Sequence, residues 1–206
     1  MQRLLACGAV LAVLTGCAAP DSARSEVRDD VPAEYALVVS EGFDDAASLE
    51  RFAFSDPEAW RWHPDGALEL AGTSDYEPPH RSPRSIAIFT GTLATDFVLE
   101  ADVRQTGREY GHRDLCAFLA FASPSRYVYT HLATTPDPNA HNVFLVEDAP
   151  RRPLAPVAEE GVDWDSREWH RLRIERRGTT VRVFFDDMRR PVITADGLPA
   201  RAGCVG

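Results

Sequence analysis

Short segments in which apolar residues recur at every second position constrain the fold of this chain most. The clearest is Asp96–Arg104, where every second residue from Phe97 to Val103 is apolar. This period predicts a β-strand with one buried face. Further strands are predicted over Leu115–Ala122, Arg126–Ala133, Asn142–Val146, Trp169–Arg176 and Val181–Phe185. Because no amphipathic helix longer than two turns is found, the sequence predicts an all-β fold of two antiparallel sheets, a sandwich or jelly roll.

Composition limits the chain to one domain and excludes one class of partner. With 44% hydrophobic and 9% aromatic residues, about 165 ordered residues can bury a single core. The formal net charge is −10, and the 22 basic residues, all arginine, are scattered among acidic ones. Nucleic-acid binding needs a basic surface that neutralises phosphates, so we expect no nucleic-acid partner.

The first seventeen residues indicate export. An apolar run from Leu4 to Leu14 follows Arg3 and is shorter than the ~20 residues that a membrane-spanning helix needs. The sequence Leu-Thr-Gly-Cys that ends at Cys17 resembles the lipobox of bacterial lipoproteins. The resemblance implies cleavage before Cys17, lipidation of its thiol and, with Ala18 next, sorting to the outer membrane or cell surface. The alternative is an ordinary signal peptide with an incidental cysteine.

These features divide the chain into a signal peptide (1–16), a flexible tether (17–37) that contacts the membrane only through its lipid, and a folded domain (38–206). The tether prediction rests on the polar, aperiodic residues Ala18–Glu34. In an exported protein, the remaining Cys116 and Cys204 predict a disulfide. Closing that loop would stabilise the fold by about 4–5 kcal/mol. The alternative is two buried free thiols.

Several segments together resemble a known superfamily. They are Trp62–Leu68, Asp96–Arg104, Glu168–Ile174 and Val181–Asp187, followed by Gly203–Gly206. The pattern is similar to concanavalin A-like lectin/glucanase jelly rolls, and among them to laminin-G-like modules and 3-keto-disaccharide hydrolase domains, over roughly residues 38–206. The resemblance implies two bent sheets with ligands on the concave one. It also implies a further strand after Gly206, so that the sequence is truncated there or the sandwich lacks an edge partner.

A carbohydrate-binding surface is predicted on one strand and the loop beside it. Tyr127, Tyr129 and His131 share a strand face, and flat aromatic rings suit the C–H faces of sugars. The polar loop that contains Asp137 would form the rim. The predicted sugar-binding residues are Tyr127, Tyr129, His131, His141, Asn142 and Arg151. The alternative is that both tyrosines belong to the core.

Two other functions stay open. One is a glycoside hydrolase acting on glycans or oxidised disaccharides, with His131 as general acid or base and Asp137 or Glu147 as its carboxylate partner. The other is a structural envelope protein without a ligand. Glu100 and Asp102 are similar to a laminarinase motif, but Gln105 stands where that motif has its second glutamate. We therefore interpret this strand face as a solvated outer surface.

No cofactor is expected. The histidines and carboxylate around the polar loop match no tight metal-binding spacing. A structural Ca²⁺ ion stays open at Asp163, Asp165 and the Asp186–Asp187 pair, although hairpin turn chemistry explains that pair better.

Overall fold

A computed structural model describes residues 30–108, 110, 114–164 and 167–206, and the backbone alone of 4–7 and 12–15. The described chain is almost entirely β-structure, with short 3-10 helices at Ala46–Arg51 and Pro57–Ala59. The strands are β1 Leu4–Cys7, β2 Ala12–Thr15, β3 Ala36–Val39, β4 Phe52–Phe54, β5 Trp60–His63, β6 Ala67–Leu70, β7 Ala87–Phe89, β8 Phe97–Gln105, β9 Asp114–Phe118, β10 Arg126–Ala133, β11 Asn142–Glu147, β12 Arg152–Pro153, β13 His170–Arg177, β14 Thr180–Phe185 and β15 Ile193–Ala195. No helix in the described ranges has the length and apolar character needed to cross a membrane.

The larger sheet is built around β8, the strand whose alternation is clearest in the sequence. Its order is β15-β14-β13-β8-β1-β6-β5. β8 pairs antiparallel with β13 from His170 opposite Val103 to Arg176 opposite Phe97. The other edge of β8 pairs with the backbones of β1 and β2, and β2 also pairs with β3.

The second sheet has the order β12-β11-β10-β9. The C-terminal segment Gly203–Gly206 connects it to the small β4–β7 pair. Phe118 exchanges backbone hydrogen bonds with Gly206, and the Phe89 N–H donates to the Val205 carbonyl at 2.8 Å. A Cβ atom at position 203 would lie 2.5 Å from the carbonyl carbon of Ala120. This close backbone approach explains the glycine.

The two faces of the second sheet pack into different clusters. On β10, Val128 and Leu132 point into the main core with Leu99 and Leu172 of the larger sheet. Residues of the opposite face, Tyr127 among them, pack instead with Ile86 and Ile88 from the segment around β7. The molecule is therefore an antiparallel β-sandwich, as predicted, and a further layer covers the outer face of one sheet.

Chain before the predicted boundary at residue 38 packs on the larger sheet. The backbones of β1 and β2, which lie within the predicted signal peptide, pair with β6 and β8, so cleavage before Cys17 would remove both strands. Val31 and Tyr35 are buried against the larger sheet. The Asp30 carboxylate accepts hydrogen bonds from Arg171 and Arg173. These contacts correct the predicted tether, because residues 30–37 are held on the sheet. Cys17 lies outside the described residues, so its lipidation stays a prediction.

The same N-terminal segment corrects the interpretation of Glu100. We expected a solvated surface, but this side chain is only 2% exposed. Its carboxylate pairs with Arg171 at 2.5 Å and with Arg173 at 2.8 Å. The alternation of β8 correctly places Glu100 away from the main core, but Asp30 and its neighbours cover that outer face.

Candidate functional site

Two of the three side chains predicted to form a sugar platform are interior. Tyr127 and Tyr129 have no exposed surface. They stack with Phe118, Phe121 and Phe144. A sugar cannot stack on a ring that neighbouring side chains cover on every side, so the platform prediction is wrong for both tyrosines. The alternative weighed from the sequence, that they belong to a core, describes them correctly.

His131 lies at the edge of this aromatic face and is bonded on both ring nitrogens. Its Nε2 is 2.6 Å from an Asp114 carboxylate oxygen. Its Nδ1 is 3.2 Å from the Asn139 carbonyl oxygen. Both partners are hydrogen-bond acceptors, and each ring nitrogen of His131 faces one of them. The Asp114 side chain is 30% exposed, so the pair reaches the surface.

Arg151 links the aromatic face to the same loop. Its Nη1 donates to the Tyr129 hydroxyl at 2.6 Å, and its Nη2 donates to the Asn139 carbonyl at 2.9 Å. The guanidinium carbon lies 4.5 Å from the centre of the Phe144 ring. Burial raises the pKa of Tyr129 far above its ordinary value, so this hydroxyl stays neutral and accepts the hydrogen bond.

We call Asp114, His131, Asn139 and Arg151 the rim cluster. It contains a carboxylate, an imidazole, an amide and a guanidinium, held together at the edge of a rigid β-layer. Sequence reasoning identified His131 and Arg151 but missed Asp114. Alternation alone could not identify Asp114, because its approach to His131 depends on the register of β9 with β10, which sets Cys116 opposite His131 and Asp114 opposite Ala133.

Cys116 is the cross-strand neighbour of His131, but it does not form a nucleophilic pair with it. Burial, and to a lesser extent Asp114, raises the pKa of the Cys116 thiol well above its ordinary value. A nucleophilic cysteine needs the opposite shift. Both nitrogens of His131 are also bonded elsewhere.

His141 and Asn142 were predicted to contact sugar, but each is only 1% exposed. The Asn142 amide donates to the Ala155 carbonyl at 2.9 Å and to the Pro156 carbonyl at 3.3 Å. Its oxygen accepts from the Ala155 N–H at 3.1 Å. The Nδ1 atom of His141 accepts from the Ala133 N–H, and burial lowers the pKa of this imidazole. Both side chains therefore hold the backbone together beneath the surface.

The structure separates one of the two predicted catalytic carboxylates, that of Glu147, from His131. Asp137 accepts a hydrogen bond from the Asn139 N–H and so stabilises its own turn. Glu147 pairs with Arg201 at the far end of β11. It is five residues from Asn142, the cross-strand partner of His131. That offset is about 17 Å along an extended strand.

Cys116 and Cys204 are free thiols, so the predicted disulfide is not formed in this structure. Cys204 lies opposite Phe121 rather than opposite Cys116.

Among the described residues, no group of three or more His, Cys, Asp or Glu side chains is arranged to hold a metal ion. Asp186 has a φ of 58° and bonds His170, which agrees with turn chemistry at that hairpin. Asp165 lies outside the described residues.

Comparison with known proteins gives one informative likeness. No family model matches this chain, and no curated protein matches it. A solved structure, the carbohydrate-binding module CBM66 from Bacillus subtilis, aligns with a TM-score of 0.55 and 16% identity. The alignment covers 76% of this chain and 85% of that one. At this identity the likeness shows the fold alone: the chain has the β-sandwich architecture of that module.

Proposed function

We propose that this chain is an exported, lipid-anchored envelope protein whose β-sandwich binds carbohydrate through the rim cluster. The observation that carries the proposal is the bonded set Asp114, His131, Asn139 and Arg151 at the surface of one sheet. Sugar hydroxyls both donate and accept hydrogen bonds. A carboxylate beside a guanidinium offers them partners of both kinds, and His131 holds that carboxylate in place.

The rim cluster is fixed before a ligand arrives. Arg151 is held by Tyr129 and Asn139, and His131 is held by Asp114 and Asn139. Little side-chain freedom remains to be lost on binding, which favours affinity. Hydrogen bonds from charged groups are also stronger than those between neutral ones. We infer that the sugar is bound by its hydroxyl edge, since Tyr127 and Tyr129 offer no open ring face.

The fold likeness adds support, because the similar solved structure is named a carbohydrate-binding module. We propose binding rather than hydrolysis. The usual glycosidase mechanism uses two carboxyl groups about 5–9.5 Å apart. Of the predicted catalytic carboxylates, Glu147 lies about 17 Å along β11 from the strand partner of His131, and Asp137 is engaged by the Asn139 N–H.

Affinity electrophoresis tests the proposal, with soluble bacterial, fungal and plant polysaccharides cast one at a time into native gels. The intact protein should be retarded by at least one polysaccharide. Arg151→Ala should weaken that binding at least tenfold, since it removes a charged hydrogen-bond donor. Arg152→Ala is the matched control, because Arg152 is the next residue, is exposed and lies outside the rim cluster.

Three results of this assay would count against the proposed site. If no polysaccharide retards the protein, or if both arginine variants bind as the wild type does, the proposed site is refuted. An equal loss in both variants would indicate a general charge effect and would also count against the rim cluster. Circular dichroism of each variant separates lost binding from lost folding.

The anchoring half of the proposal is tested separately on Cys17. Cells that express the full chain are labelled with radioactive palmitate and fractionated with detergent. The wild-type protein should carry label and partition with membranes. Cys17→Ala should lose both properties, whereas Cys7→Ala should lose neither, because residue 7 lies before the proposed cleavage point. Unlabelled wild-type protein would refute lipidation.

A further inference from the structure

A cavity of about 450 Å³ lies between the two sheets and borders the rim cluster at Asp114, which is one of its lining residues. Its described walls come from β6, β8 and β9, from Trp60 of β5 and from the segment 83–87. The lining is mainly apolar, with Leu99, Val103, Leu115 and Leu172 on opposite sides. At roughly 30 Å³ per water-sized atom, the space holds about fifteen non-hydrogen atoms. Interior voids of this size are rare in close-packed proteins, whereas ligand pockets commonly have this volume.

Two buried polar atoms without a hydrogen-bond partner belong to side chains that line this cavity. Gln105 is 1% exposed, and its amide nitrogen donates to the Asp114 carbonyl while its Oε1 has no partner in the described chain. The indole Nε1 of Trp60 is likewise buried without a partner. Leaving such groups unpaired is costly, so their presence on one cavity needs an explanation.

We propose that the cavity is a binding site for a small, mainly apolar molecule that carries a hydroxyl group. The apolar body would fill the space between Leu99 and Leu115, while the hydroxyl supplies what the two side chains lack. A hydroxyl donates to the Gln105 oxygen, and its own oxygen is of the kind that accepts from an indole N–H such as that of Trp60. A carboxylate has no proton for the Gln105 oxygen, and a plain hydrocarbon satisfies neither group. Asp114 borders both this cavity and the rim cluster, but the apolar probes and the polysaccharides are assayed separately, so either proposal can fail without the other.

The test compares two probes of the same shape that differ in one hydroxyl, 4-phenylphenol and biphenyl. Each is titrated into the uncleaved chain of residues 1–206, because β1 pairs with β6 and β8, whose residues line the cavity. Tryptophan fluorescence and calorimetry are the readouts. We expect saturable binding of 4-phenylphenol, about tenfold tighter than that of biphenyl, the factor typical of one buried hydrogen bond. Gln105→Leu should bring the two affinities within about threefold by weakening only 4-phenylphenol.

Cavity-filling variants test the location. Ala101→Leu and, separately, Ala117→Val add carbon atoms to opposite walls. Each should weaken both probes, while Glu159→Gln on an exposed loop should change neither. If the wild type binds neither probe saturably, water or nothing fills the space and the proposal is overturned. Equal affinity for both probes, or undiminished binding by whichever cavity variants fold, would also overturn it.

Discussion

The ion pairs that hold Asp30 on the larger sheet predict an acid-dependent loss of stability. The Asp30 carboxylate lies 2.7 Å from the Arg171 guanidinium and 2.8 Å from that of Arg173. The hydrogen bond from Arg171 is the largest cause that lowers the pKa of Asp30 from 3.8 to about 2. Replacing this residue by asparagine keeps its shape and removes its charge.

The expected loss of folding free energy follows from the shift in the pKa of Asp30. A difference of 1.8 between 3.8 and about 2 corresponds to at most ~2.4 kcal/mol of folding free energy. The Asp30 side chain is 45% exposed, so solvent screens part of the interaction. We therefore expect Asp30→Asn to lower the free energy of unfolding by about 1 kcal/mol at pH 7.

The sign of the pH dependence is fixed by the direction of the shift. The pKa of Asp30 is lower in the folded state, so the stabilisation is fully present above about pH 4. It is lost as the pH falls through 2. The gap in unfolding free energy between wild type and Asp30→Asn should therefore close toward pH 2.

Urea denaturation followed by tryptophan fluorescence measures this gap at several pH values from 2 to 7. Asp75→Asn, a change at an exposed aspartate in another part of the chain, is the control and should show little gap at any pH. A gap for Asp30→Asn that is the same at pH 2 and pH 7 would refute the electrostatic reasoning. So would an equal effect from the control.

Two further predictions concern buried groups. Asn142→Ala should lower the unfolding free energy by about 2–3 kcal/mol, because it leaves the bonded Ala155 and Pro156 backbone groups unpaired. Urea denaturation measures this loss, with the exposed substitution Thr135→Ala as the control. Equal stability of the two variants would contradict the prediction. Alkylation of the denatured, unreduced protein followed by mass spectrometry should label both Cys116 and Cys204; two blocked thiols that reductant releases would instead show a disulfide.

The sequence predicts the strands of this fold well, because alternation is a local property. The strand predicted at Arg126–Ala133 occupies those residues, and the one predicted at Asp96–Arg104 is observed one residue later. The two-sheet architecture follows from the number and spacing of such segments. The packed segment 30–37 was missed because its contacts are long-range: Asp30 bonds Arg171, 141 residues away.

The candidate site was only partly predictable, as strand β10 shows. Alternation separates its side chains into two faces, and Tyr127, Tyr129 and His131 do share one. It does not reveal whether a face is open, because that depends on chain from elsewhere in the sequence. Here Ile86 and Ile88 cover the tyrosines.

The same cover explains why the rim cluster forms where it does. The aromatic layer excludes water from the middle of the face, so polar side chains remain at its margin. There Arg151 lies against Phe144 and donates to the Tyr129 hydroxyl. Tyr129, which the sequence analysis predicted to contact the ligand, instead bonds the arginine that we propose contacts it. We expect Tyr129→Phe to reduce carbohydrate affinity only because Arg151 loses its hydrogen-bond partner. In the double variant, Tyr129→Phe should therefore add little to the loss of affinity that Arg151→Ala causes alone. Full additivity of the two losses would show that Tyr129 acts on the ligand by another route.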